Sequence, residues 1–351
     1  MSRTGAYTLA DLQQFTNITA ISFGLDAIQD IVRAEFLAHD QLMMDMFNQY
    51  ATPTTAREEA DGLGQILDGE FEEADEFSRV RTQKITGGQK LGFPLRKFQF
   101  ANGWTLEYLE RATVAHLAVQ ALNVQQADVR NKMTYMKKAL FSPTNYTFRD
   151  SNVTEVVDIG VKALLNGDGS IPPNGPNGET FNGNHTHYVG ATTLTTAALD
   201  ALILNVTEHT SNANVQIHIN QAQEAGIRGL TGFIAAWDAR IAVANTVTMT
   251  NQRLDNSNTQ KRFIGFYNGA EVFVKPWVYA SYIVAIDVNA PTRVLRMRNP
   301  VENASGLHLA GRVSPFPLQS EYFQSFFGFG VKNRGAAAIL YIGNTTYADP
   351  T

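Results

Sequence analysis

From Thr105 to Ser142 the chain contains neither glycine nor proline, and the stretch just before it reads as paired strands, so one continuous segment, Phe77 to Leu140, constrains the fold most. Ser78 to Phe100 alternates in side-chain character on both sides of Gly87-Gly88, the pattern of a β-hairpin. Its strand positions are largely Arg, Lys, Gln and Thr, so neither face offers much apolar surface to the chain's own core. A two-stranded ribbon is marginal alone in water. The sequence therefore predicts an arm that gains its stability by lying on another protein molecule, with Arg79, Arg81, Lys84, Lys90, Arg96 and Lys97 as its contact residues.

Thr105 is a reasonable N-cap, and Ala, Leu, Gln, Met and Lys, all good helix formers, dominate the residues after it. Leu106, Leu109, Ala112, His116, Val119, Leu122, Val129, Met133, Met136 and Leu140 recur mostly at steps of three or four, predicting a single amphipathic helix. At 1.5 Å per residue it would run roughly 50 Å. A polar hairpin feeding a long helix suits assembly better than catalysis.

The C-terminal part adds three apolar runs: Arg262 to Pro276, Arg293 to Arg298, and Phe326 to Ile342, which includes Phe327-Gly328-Phe329-Gly330. In the order and spacing of these elements nearly the whole chain resembles the major capsid proteins of tailed bacteriophages, the HK97-type fold. The resemblance implies an α+β fold with an N-terminal arm over 1–76, an extended hairpin loop over 77–104, and a spine helix with the first part of a peripheral domain over 105–150. It also implies an α/β apical domain over 151–290, peripheral strands over 291–330 and a final apical strand over 331–351. The implied function is self-assembly through hexamers and pentamers into an icosahedral shell around double-stranded DNA, with no catalysis and no cofactor. Scaffolding, portal and decoration proteins are further partners it implies. Encapsulin-type compartments share the architecture and stand as the alternative. Some family members crosslink through a hairpin Lys; Lys84 and Lys90 are suitably placed, but no partner Asn or catalytic Glu is assignable.

Composition agrees with such a role. Of 351 residues 44% are hydrophobic and only 17% charged, below the usual quarter, as suits a surface largely covered by neighbours. A net charge of -5 and a pI near 5.8 argue against a protein that tracks phosphates. The absence of Cys excludes disulfides and thiolate metal sites and fits a reducing cytoplasm. The N-terminus lacks a signal-peptide core and no run is long enough to span a membrane, so synthesis in the host bacterial cytoplasm is expected.

Before the hairpin, Leu25, Ile28, Val32, Phe36, His39, Met43, Met46 and Tyr50 form a helical stripe, read as core-facing or, through Met43, Met44 and Met46, as partner-facing. The acidic run Arg57 to Glu76 is a solvated face or a surface complementary to the basic hairpin of a neighbour. Beyond Pro143, Val153 to Ile159 fits either a strand or a short helix, and Asn166 to Asn184 is a long turn-rich loop lacking the ligand spacing of a calcium site. Thr195 opens a second helix, and Val215 to Ile219 is a strand with His218 facing away from Val215, Ile217 and Ile219. His185 and His187 lie on one side of an extended segment, half of a metal site, with Glu208, His209 and His218 downstream at no motif spacing. A metal-dependent enzyme using His185 and His187 is therefore the reading from a different class; structural histidines are the simpler one. No nucleophile elbow, phosphate loop or His-Glu-x-x-His is present.

Overall fold

Two short helices held by their caps open the computed structural model, which describes residues 7–61, 72–80, 82, 89–152, 155–165, 167–236, 262–301, 306–314 and 317–350. In α1 (Leu9–Gln13) the Thr8 hydroxyl accepts from the Asp11 amide while the Asp11 carboxylate accepts from the Thr8 amide; Thr19 caps α2 (Ala20–Phe23). Capping is a matter of single residues, which explains why this stretch showed little periodic pattern. Gly24, at φ 105°, then turns the chain into α3 (Leu25–Phe47). Ile28, Phe36, His39, Met43 and Phe47 are buried on it, so its core-facing reading holds, while Leu37, Leu42 and Met44 point outward.

The middle of the chain forms β1 (Ala51–Thr54), β2 (Glu58–Ala60), β3 (Lys90–Gly92), β4 (Arg96–Thr105), α4 (Leu106–Arg111), α5 (Val114–Phe141), β5 (Tyr146–Asp150) and β6 (Val157–Val161). Next come β7 (Tyr188–Ala191), α6 (Thr196–Thr207), β8 (Val215–Ile219), a 3-10 turn, α7 (Glu224–Arg228), β9 (Phe233–Ala235), β10 (Arg262–Tyr267) and β11 (Ala270–Val274). The chain ends with β12 (Tyr282–Asp287), β13 (Leu295–Arg298), β14 (Gly306–Val313), β15 (Leu318–Val331) and β16 (Ala337–Ile342).

Two sheets organise these elements. In the first, β15 is the long central strand: Leu318 to Phe327 pairs with β4, Ser320 to Phe326 with β14, and Gly328 to Val331 with β13, which pairs in parallel with β1. The second has the order β7-β16-β12-β8-β11-β10-β9 and mixes parallel with antiparallel pairs. Every residue of β12 is buried, the run expected of a strand covered on both faces. Helix α6 covers one face of this sheet through Leu199, Leu202 and Val206. A core of Met43, Phe47, Met136, Leu140, Phe141, Phe327, Phe329, Val284, Ile286 and Ile339 fills the space between α3, α5 and the two sheets.

The structure corrects the hairpin expectation. Ser78–Val80 is not a strand, residues 83–88 with the Gly87-Gly88 turn lie outside the described residues, and β3 pairs with β2 rather than with anything after Ser78. Strand β4 belongs to the first sheet through its ten-residue register with β15. Nor is the region free of burial within its own chain: Leu91 and Phe93 are fully buried and Leu95 is 2% exposed. The reason lies in Phe327-Gly328-Phe329-Gly330. Its phenylalanines face the core, and its glycines let the 92–95 segment lie on the opposite face, where a Cβ at Gly330 would meet the Gly92 carbonyl at 2.9 Å. The segment between β2 and β3 is thus closed at its base by their pairing, and β4, within the expected 77–104 hairpin loop, belongs to the first sheet.

The single long helix is corrected too. It breaks at Ala112-Thr113, where Ala112 adopts an extended conformation, Thr113 bridges to Thr19, and the Val114 amide donates to the Ile18 carbonyl. At 28 residues, α5 is about 42 Å long. Its buried face runs through Val114, Leu117, Ala121, Val124, Asp128, Lys132, Met136 and Leu140, whereas Val119 and Leu106 of the expected stripe are 46% and 40% exposed. Apolar periodicity misplaced the stripe because two of the core-facing residues are charged.

Those charges form a network. Lys132 Nζ lies 2.7 Å from Asp128 and 3.5 Å from Asp40; Asp128 also takes His39 Nε2 at 3.0 Å, and Asp40 accepts from the Leu307 amide. Burial would raise the Asp128 carboxyl, but hydrogen bonds from His39 and Lys132 hold it below the usual carboxylate range. The cluster ties α3, α5 and β14 together. Removing one buried charge strands its partner, so Lys132→Met is expected to cost about 3 to 5 kcal/mol in urea unfolding of the unassembled chain, and Asp128→Leu in the same background to restore much of it. A Lys132→Met cost below about 1 kcal/mol, within reach of an exposed pair, contradicts this account.

Candidate assembly interface

The extended loop leaves the body along two paired strands. Glu58 pairs with Gly92, Glu59 with Leu91 and Ala60 with Lys90, and the Asp61 amide donates to the Gln89 carbonyl at 2.8 Å. Within the loop the described residues, 72–80 and 82, are all exposed; Phe77 is 94% exposed and Val80 41%. Among the described residues, nothing covers this aromatic side chain.

The six basic contact residues separate into groups. Arg79 sits on the projecting loop, exposed, while Arg81 and Lys84 lie outside the described residues. Lys90 stands at the base, 3.5 Å from Glu58. Arg96 and Lys97 are on β4 and engage their own chain: the Arg96 guanidinium lies 4.7 Å from the Phe148 ring centroid and 5.3 Å from that of Tyr135, and Lys97 Nζ is 5.7 Å from Phe326.

Below its exposed part the loop is fastened by charge. Arg296 Nε and Lys332 Nζ each lie 3.1 Å from the Glu59 carboxylate, and although burial would raise its pKa, these two cations hold it below the usual range. Arg334, fully buried, reaches Asp61 at 3.6 Å and Asp168 at 3.0 Å, and donates to Ser170 at 3.2 Å. Arg298 donates to Asp150 and to the Phe93 carbonyl, both at 2.8 Å. Asp168 is the carboxylate of the long loop that looked superficially like a calcium ligand; Lys162 and Arg334 occupy it. Burial acts to raise it, but the Asn145 hydrogen bond, Arg334, Ser170 and Lys162 hold it far below the ordinary carboxylate range. None of these buried charges stood out in the sequence, because a lone Arg or Asp beside an apolar run carries no periodic signature.

The histidines divide differently from their spacing. His218 is fully buried and its Nδ1 lies 3.0 Å from the Tyr50 hydroxyl, on the face opposite Ile217 and Ile219. His185 and His187, just before β7, meet Glu208 and His209 at the C-terminus of α6, with their ligand atoms within 4.8 Å of one another. Sequence distance had hidden that convergence. No described helix is long and apolar enough to cross a membrane.

No protein-family model and no curated protein matches this sequence. A solved structure from Mycobacterium phage Patience, 22% identical, matches it over 100% of this chain and 96% of its own with a TM-score of 0.68. The fold is shared with a phage protein from end to end. Weaker likenesses include the capsid of a native GTA particle, 13% identical over 85% of this chain and 89% of its own with a TM-score of 0.47, and a structure from Gordonia phage Cozz, 12% identical over 84% of each with a TM-score of 0.46. The α+β class expected from the order of elements is met, and the fold is one that a phage protein shares.

Because Asp61 and Gln89 are bonded neighbours in an antiparallel pair, a two-residue Asn-Gly turn can join them. That deletion is expected to leave the melting temperature of the unassembled chain within a few degrees of the parent while shells fail to form or become fragile, seen by sedimentation and microscopy; shells of undiminished stability reject the loop as an assembly element. Acidification probes the anchor. A carboxyl with a lowered folded pKa contributes stability that is present above its unfolded value of about 3.9 and is lost as pH falls below it. Between pH 4 and 2 the parent chain should therefore lose stability more steeply than Asp168→Asn in urea titrations; parallel curves contradict the assignment.

Proposed function

We propose that this chain is the major capsid subunit of a tailed phage, with the HK97-type arrangement, and that copies of it associate as hexamers and pentamers into an icosahedral shell around double-stranded DNA. The observation that carries the reading is the match over the full chain to a structure from a phage. On this reading α5 is the spine, the sheet built on β15 the peripheral domain, the seven-stranded sheet the apical domain, and residues 61–89 the extended loop that lies on a neighbour. Helices α1 to α3 precede that loop as the N-terminal arm.

The surface supports it. Leu37 is 74% exposed, Leu42 64%, Val301 82% and Phe77 94%, large apolar side chains on separate parts of the molecule that a shell would cover. A net charge of -5 suits a wall that encloses DNA without gripping it. Nothing in the reading requires catalysis or a cofactor. Scaffolding, portal and decoration proteins are the other partners it calls for, and the virion is its location.

Expressed with any scaffold protein it requires, the chain is expected to form closed shells under electron microscopy, and Phe77→Ser to reduce their yield while changing the stability of the unassembled chain by no more than about 0.5 kcal/mol. A monodisperse monomer that persists at high concentration under those conditions removes the proposal.

A further inference from the structure

The rings of His185, His187 and His209 form a near-equilateral triangle, with centroids 4.9, 5.1 and 4.9 Å apart, and Glu208 reaches into the same space. His185 Nε2 lies 3.1 Å from His209 Nε2 and 3.3 Å from Glu208 Oε1, which is 3.6 Å from His209 Nε2. Ligand atoms bonded to one tetrahedral cation at about 2.0 to 2.2 Å stand about 3.3 to 3.6 Å from each other. The three measured separations bracket that value.

The second observation is unmet hydrogen-bonding capacity. His187 is fully buried and neither of its ring nitrogens has a hydrogen-bond partner; Glu208 Oε1 and His209 Nδ1 are likewise buried without one. Such groups normally find partners, and each one left alone costs free energy. A proton shared between His185 and His209 satisfies one contact and leaves the rest. Two imidazole nitrogens facing each other at 3.1 Å, with a carboxylate oxygen beside both, are lone pairs converging on a point, which is what a cation satisfies and a single proton does not.

The surroundings hold the site in place. The His187 amide donates to the Leu165 carbonyl and its carbonyl accepts from the Ile339 amide, while the His185 carbonyl accepts from the Gly167 amide. Phe181 packs 4.6 Å from both the His185 and His209 rings, and a Cβ at Gly335 would come within 3.2 Å of His209. Glu208 supplies the carboxylate of the set.

We propose that His185, His187, Glu208 and His209 form a structural site for zinc or a similar borderline divalent cation, which clamps the long loop before β7 to the C-terminal end of α6. Three imidazoles and one carboxylate complete a tetrahedron, so no position is left open for substrate, and the site is structural rather than catalytic. Nitrogen-rich coordination favours zinc, cobalt or nickel over magnesium or calcium.

The experiment uses the full chain without a histidine tag, unassembled, so that its result is independent of whether shells form. Metal-stripped protein is titrated with zinc and separately with magnesium, followed by calorimetry, thermal melting and, with cobalt, visible absorption. One zinc per chain, a melting temperature raised by several degrees with zinc and unchanged with magnesium, and the intense visible bands of tetrahedral cobalt are expected. His209→Gln and His185→Gln should each weaken zinc at least about 100-fold, more than loss of an outer-shell partner. Absence of stoichiometric zinc binding by the parent chain overturns the proposal whatever the variants do. So does octahedral cobalt, or zinc binding that both variants retain.

Discussion

A guanidinium with no exposed surface has to be paired, and Arg334 meets that requirement by drawing together parts of the chain that have no other reason to meet. It lies just beyond the end of β15, reaches Asp61 at the root of the extended loop, and reaches Asp168 and Ser170 in the long loop before β7. Because Asp168 also takes Lys162 and Asn145, the long loop is fixed at one end by ionic contacts. Its other end carries His185 and His187. The root of the loop after β2 and the segment that leads to the histidine cluster are therefore both bound to one buried cation.

This arrangement separates what stabilises the subunit from what is available to a partner. Gly92, Phe93 and Pro94 lie on the glycine face of β15 between the buried Leu91 and Leu95, and Glu59, Asp61 and Arg298 lock the strands on either side. From Glu72 to Val80 the chain is exposed throughout. A fixed root limits the directions in which the exposed part can project, so on the proposed reading less freedom would be lost on contact with another molecule. The same economy applies to α5, where Lys132 and Asp128 hold α3 and β14 at a set distance and Leu37 and Leu42 remain on the outer side of α3.

Much of the fold was legible because it arises from period and punctuation. The helix at Thr195, the strand at Val215 and the face of His218 came from N-capping and alternation, and α3 kept Ile28, Phe36, His39 and Met43 on its buried side. Expectations failed where tertiary contacts overruled local pattern. The break at Ala112-Thr113 comes from Ile18 and Thr19, far away in sequence. The shift of the α5 stripe comes from buried charges that a hydrophobicity pattern assigns to solvent. Alternation around Gly87-Gly88 suggested a hairpin, yet Lys90 to Gly92 found a better partner in Glu58 to Ala60, since Leu91 and Phe93 could be buried only in that register. The exposure of Arg79 could be read from charge alone, whereas Glu208 and His209 joined His185 and His187 only through the packing of α6 against β16 and β7.

On the proposed capsid reading, the wall must be cohesive without being sticky as a free chain, and the composition is compatible with both demands. With no Cys, no covalent disulfide is available, and with 17% charged residues, broad electrostatic attraction between copies is modest. Cohesion then has to come from apolar and hydrogen-bonded contacts repeated at every copy. An exposed Phe77 on a polar loop and an exposed Val301 elsewhere are each too small to drive association of two free chains. Once a ring has formed, however, later contacts within it are made at the high effective concentration that linkage provides, and individually weak contacts become sufficient. The scattering of these side chains over several surfaces, rather than their gathering into one patch, is what allows a chain to stay dispersed until many such contacts can form together.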